Sequence, residues 1–216
     1  MAYLDHYDLY CERLGPGLLA EPVNAITNAA FFFAAWYAWR DARSVGRLDA
    51  TTLMLIGLIA AIGTGSALFH TFATGWARLL DELPILLLQL LFLWTYSRRV
   101  IGVVWWVSVA MVAAYLAFAV YCRGFGHLLN GSLIYAPALA MSLGLGAYHW
   151  RTQPRFRTWL VRAAAVLFVA VVLRTFDAAV CEHFALGTHF MWHLIVAGVT
   201  YLSMRALTTA TYGRQR

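Results

Sequence analysis

Residues 100–122 contain no charged side chain, and neither do residues 53–69 or 163–173; arginines gather where such blocks end. A bilayer core of roughly 30 Å needs about 20 apolar residues per helix, so blocks of this kind read as membrane spans. Backbone amides find no water in lipid, which leaves only the helix and the closed barrel as spanning structures. Barrel strands alternate apolar with polar residues, and these blocks do not. Only 12% of the 216 residues are charged, about half the usual share of a soluble domain.

Seven spans are predicted, at about 23–39, 51–70, 79–96, 100–121, 128–149, 159–180 and 189–207, after an extramembrane segment 1–22. No Pro/Gly/Ser-rich linker divides the chain. The expected fold is therefore one all-α membrane domain over 1–216, a seven-transmembrane-helix bundle. The basic residues are all arginine. With seven spans, Arg40, Arg43, Arg47, Arg98, Arg99, Arg151, Arg155, Arg157, Arg162, Arg205, Arg214 and Arg216 share one side, and Arg13, Arg78 and Arg123 the other. Cytoplasmic loops carry the excess of positive charge, which predicts an outside N-terminus and a cytoplasmic C-terminus. The net charge of +6 is thus a topology signal, and it implies neither nucleic acid nor an obligate protein partner. Arginine-only usage points to a high-GC bacterial genome and an inner-membrane location. The N-terminal segment is acidic (Asp5, Asp8, Glu12) and lacks the basic and apolar regions of a cleaved signal peptide.

This topology gathers polar residues at the outer ends of three spans. His70 closes the second span, Asp81 opens the third, and His189 and His193 open the seventh. A spacing of four puts both rings of the last pair on one helix face. Three protein ligands with an open position for water is the pattern of a catalytic zinc site. Boundary histidines also serve as plain hydrogen-bonding residues, and the pattern alone leaves both readings standing. The segment from His189 to His193 lacks the glutamate of the soluble zinc-protease helix. Arg174 and Asp177 lie three apart in the sixth span, where a buried ion pair is expected.

The run Gly63-Thr64-Gly65-Ser66-Ala67-Leu68-Phe69-His70, followed by Leu79-Leu80-Asp81-Glu82-Leu83-Pro84, resembles the signature of the alkaline ceramidases. That family belongs to a superfamily of seven-helix hydrolases and receptors that includes the progestin and adiponectin receptors. The resemblance continues through Ala20 to Asn28, Asp177 to Glu182, and His189 to His193 with Trp192 between. It implies a zinc-dependent intramembrane hydrolase that cleaves the amide of ceramide or a related N-acyl lipid drawn from the bilayer. His70, His189 and His193 would hold zinc, Asp81 would act as general base, and Ser66 would hydrogen-bond the oxyanion. The alternatives are a hydrolase of another acyl lipid and a receptor-like lipid-binding protein that retains the metal site.

The resemblance further implies calcium bound in the N-terminal segment by Glu12 and Glu21, with Asp8 as a shifted third ligand. Here Asp8 lies one residue further from the cysteine than the family pattern places its aspartate, and Leu14 stands where an asparagine is expected. Three cysteines permit at most one intramolecular bridge, and the resemblance points to Cys11 with Cys181, leaving Cys122 free.

Overall fold

The computed structural model describes residues 6–213, so Asp5, Arg214 and Arg216 lie outside the described residues. Eight α-helices follow one another: α1 (Pro22–Thr27), α2 (Ala29–Ser44), α3 (Ala50–Phe72), α4 (Gly75–Tyr96), α5 (Trp105–Arg123), α6 (Ala136–Thr152), α7 (Trp159–Val180) and α8 (His189–Thr209). Each from α2 onward packs on its neighbour in the chain, and α8 returns to pack on α2. The seven long helices therefore close into a ring. Its interior is filled by Phe31, Leu55, Ile59, Ile62, Tyr96, Met204 and Leu207. Its outside carries exposed aromatic residues such as Phe32, Phe33, Trp36, Phe168 and Phe176. An apolar surface on this scale suits lipid contact.

Six helical segments, Ala50–Phe72, Gly75–Ile101, Trp105–Arg123, Leu128–Thr152, Trp159–Val180 and His189–Thr209, are long and apolar enough to cross a bilayer. They mark an integral membrane protein. The first expected span is different, because the helix breaks at Asn28 into α1, of 6 residues, and α2, of 16. At 1.5 Å per residue α2 is only about 24 Å long, short of the bilayer core. The break has a local cause. Asn28 turns its side-chain amide back to the Asn24 carbonyl at 2.8 Å, and the backbone there is close to α2's contact with Gly63 of α3.

The fifth span also starts irregularly. Residues Leu128–Tyr135 form a 3-10 stretch interrupted by left-handed backbone at Leu129, Asn130 and Gly131, and α6 proper begins only at Ala136. Between α4 and α5 the chain passes through a π-helical turn, Ser97–Ile101, and Gly102 in the left-handed region.

A close backbone approach joins α3 to α4, and two residues cause it. Pro84, inside α4, has no N–H to give the carbonyl of Leu80, four residues earlier. That carbonyl lies against Gly65 of α3, where any Cβ would overlap it. A glycine on one helix and a missing donor on the other thus bring the two backbones together beside Ser66 and Asp81.

The N-terminal segment is fastened at several points. Cys11 and Cys181 are disulfide-bonded, with Cα atoms 5.2 Å apart, and Cys122 is a free, buried thiol. The Glu12 carboxylate accepts the backbone N–H groups of Val23 and Asn24 at 2.7 and 2.8 Å. It thereby supplies the start of α1 with the acceptor its own first residues do not provide.

Candidate metal centre and active site

His70 sits near the C-terminal end of α3, and His189 and His193 occupy the first two turns of α8. Their ligand atoms all lie within 4.8 Å of one another, and all three side chains are buried. Among the described residues no other group of three histidine, cysteine or acidic side chains is so placed. Two of the ring nitrogens, Nε2 of His70 and Nδ1 of His189, are buried with no hydrogen-bond partner. Unpartnered buried nitrogens are costly on their own, and several imidazoles facing one point are the donor set of a transition-metal site. The residues therefore fit a metal ion.

Polar neighbours set the orientation of these rings. Glu21 Oε2 lies 2.5 Å from His70 Nδ1, which leaves Nε2 pointing into the cluster. A carboxylate on the far nitrogen of a ligand histidine fixes its tautomer and raises its basicity. The Thr27 hydroxyl lies 2.9 Å from His193 Nδ1 and serves that ring in the same way. Tyr10 stacks on His189 with centroids 3.6 Å apart.

Asp177 holds the start of α8. Its Oδ1 accepts the N–H groups of Thr188 and His189 at 2.6 and 2.9 Å, so His189 is fixed through its backbone. Gly187 makes this possible: its φ is +62°, and a Cβ there would collide with the Asp177 carboxylate. The expected Arg174–Asp177 ion pair is absent. Asp177 is committed to these amides, and Arg174 bonds instead to the Asn130 carbonyl and the Ser132 hydroxyl.

Asp81 lies in the second turn of α4. The contact at Gly65 reaches the Leu80 carbonyl and the Asp81 amide, and so sets Asp81 near Ser66, the residue that follows Gly65 and lies one turn before His70. The structure thus brings His70, His189, His193, Asp81 and Ser66 to one place and joins Glu21 to them through His70.

Glu12, Glu21 and Asp8 are not gathered into one ligand group. Glu12 is engaged with α1, and Asp8 is exposed. The remaining oxygens are already taken by a cation of the chain itself. The buried Arg13 guanidinium bonds to Glu21 Oε1 at 2.5 Å, the His70 carbonyl at 3.0 Å, and the Gly17 and Gly15 carbonyls at 3.4 and 3.5 Å. Burial raises the affinity of the Glu21 carboxyl for its proton, yet the bonds and charges of His70 and Arg13 outweigh it and hold the carboxyl below its ordinary range. The residues present do not fit calcium here. Millimolar calcium is accordingly expected to leave the melting temperature of the purified protein unchanged. A site filled at 100 times its Kd would add about 2.7 kcal/mol, so a rise of several degrees would contradict this.

Arg13, Thr27, Tyr10 and the capping role of Asp177 were not visible as parts of the site in the sequence. Thr27 and Asp177 lie in stretches that carry the resemblance, but none of the four roles is readable there, because each rests on a contact between segments that only the fold brings together.

An apolar helical bundle with a buried three-histidine cluster, flanked by a carboxylate and a hydroxyl, defines an integral membrane protein with a candidate metal centre. The ceramidase family model matches residues 14–216. The chain belongs to the ceramidase family, and that membership points to hydrolysis of an amide-linked lipid. No curated protein matches the chain.

Proposed function

We propose that this protein is a zinc-dependent hydrolase that cleaves the amide bond of ceramide or a related N-acyl lipid, releasing a fatty acid and a free amine. The observation that carries the reading is the conjunction of three buried histidines with Asp81 and Ser66 in a chain of the ceramidase family. In this reading α1 with α2, and then each of α3 to α8, span the bilayer as one domain, and the arginine asymmetry turns the site toward the non-cytoplasmic side.

Zinc held by His70, His189 and His193 would supply Lewis acidity and let water ionise near neutral pH. The chain's own groups do the rest. Asp81 takes the proton of the attacking water and returns it to the departing amine. The Ser66 hydroxyl donates to the carbonyl oxygen as negative charge develops there, a contribution of about 2.7–4 kcal/mol for one well-aimed donor. Glu21 and Thr27 keep the imidazoles turned to the cluster. An apolar chamber walled by Ile62, Leu88, Phe92, Met141, Leu167 and Val196, with Trp192 and Tyr135 also on its wall, suits an acyl chain.

The test is fatty-acid release from ceramide by the detergent-purified protein, beside an ester of the same acyl chain. Turnover of ceramide that is lost on metal stripping and restored by zinc is expected. Hydrolysis of the ester alone would move the substrate to another acyl lipid. Zinc binding with no turnover of either would favour a receptor-like role.

A further inference from the structure

Arg174 is buried, at 8% exposure, toward the C-terminal end of α7. Its hydrogen bonds go to neutral groups only, the Asn130 carbonyl at 2.8 Å and the Ser132 hydroxyl at 3.0 Å, and its Nε is buried without a partner. The carboxylate nearest in sequence, Asp177, is spent on the start of α8. A buried cation that lacks a carboxylate partner is strongly disfavoured unless something compensates it.

Arg174 faces a cavity of about 390 Å³ whose wall also includes Tyr10, Arg78, Arg123, His127 and Asn130, with no acidic side chain. Arg78 and Arg123 share a single partner, Glu82, at 2.7 and 2.9 Å. Three guanidinium groups against two carboxylates, Glu82 and its neighbour Asp81, leave this region net positive. The cavity adjoins the metal centre, since Tyr10 is part of its wall and stacks on His189. Tyr135 stands between Arg174, whose guanidinium lies 5.1 Å from its ring, and Trp192 of the apolar chamber, with centroids 4.3 Å apart. Arg174 thus lines the cationic cavity and packs against Tyr135, which lines the apolar chamber.

We propose that the Arg174 cavity is an anion subsite that receives a phosphate or carboxylate carried on the polar end of the N-acyl lipid, while the acyl chain occupies the apolar chamber. This deepens the hydrolase reading and rests on it. Guanidinium groups bind such anions through paired, charge-assisted hydrogen bonds, and Arg174 has unused donors to offer.

The experiment compares kcat/KM for N-acylsphingosine and its 1-phosphate, with the same acyl chain, in the parent and in Arg174→Gln. The parent is expected to favour the phosphate by about tenfold or more, the value of a hydrogen bond to a charged group. Arg174→Gln should abolish that preference and change turnover of the neutral lipid far less. Equal kcat/KM for the two lipids in the parent, or a preference that survives Arg174→Gln, would overturn the subsite. So would a variant whose only change is relief of inhibition by free fatty acid, which would give the cavity to the product. If neither lipid is hydrolysed, the hydrolase reading fails and calorimetry decides the subsite. Saturable binding of dodecyl phosphate, but not of inorganic phosphate, to the parent and its loss in Arg174→Gln would uphold it. Equal binding to both proteins, or none, would overturn it.

Discussion

Asp81→Asn is expected to lower kcat by about a thousandfold while leaving bound zinc unchanged. The amide keeps the size of the carboxyl, but it cannot take up a proton. General acid–base catalysis by one group contributes roughly 10²–10⁴-fold, and in the proposed reaction the same carboxyl serves both attack and departure. Asp81 stands beside the histidine cluster and is not one of its members. Kinetics and metal content measured on the same preparations check the assignment. Zinc lost together with activity would make Asp81 a ligand; a kcat within fivefold of the parent would leave the proton to some other group.

Gly65→Ala is the second substitution with a large expected effect, and it touches no reacting group. A methyl at residue 65 would overlap the Leu80 carbonyl, so α4 must move away from α3. Overpacking of this kind costs about 1–3 kcal/mol. The greater consequence is functional, because Asp81 follows Leu80 directly and moves with it. A displacement of about 1 Å can lower turnover about 10²-fold, and a loss of that order in kcat is expected with zinc retained. Gly57→Ala is the control on the same helix. A Cβ at residue 57 meets nothing within 4 Å, and activity close to the parent's is expected. Equal losses in both variants would mean that glycine content, and not the contact with Leu80, sets the activity.

The parts of the architecture that were legible in the sequence are those written in local hydropathy. The blocks that became α3 to α8 are recognisable because lipid demands uninterrupted apolar length. The break at Asn28 was not, since the run around it carries no charge, and the interruption comes from the bond of Asn28 to Asn24 and the close contact of α3 with that backbone. The fifth span begins at Leu128 as expected, but its irregular first turns were not legible, for a similar reason. Residues Leu128–Tyr135 are apolar enough to extend a span, yet three of them take left-handed backbone while Asn130 and Ser132 serve Arg174.

The site divides along the same line. His189 and His193 share a helix, so their spacing speaks directly; His70 joins them only because α3, α8 and α1 pack together. The expected Arg174–Asp177 pair shows the limit of spacing arguments. An i,i+3 separation permits contact, but the amides of Thr188 and His189 compete for the carboxylate, and they come from another helix. Arg13 is the clearest case of information absent from local pattern. In sequence it is one of three arginines on the acidic side of the chain, and in the structure it fills the oxygen nest that calcium was expected to fill.

The central claim is that the three histidines hold a metal on which lipid hydrolysis depends. The measurement that tests it most directly is zinc content and ceramide turnover, side by side, in the purified protein and in His193→Ala. The account predicts one zinc per chain and fatty-acid release in the parent, and the loss of both in a variant that remains folded. A parent that hydrolyses ceramide without bound metal, or a folded His193→Ala that keeps zinc and full turnover, would contradict it.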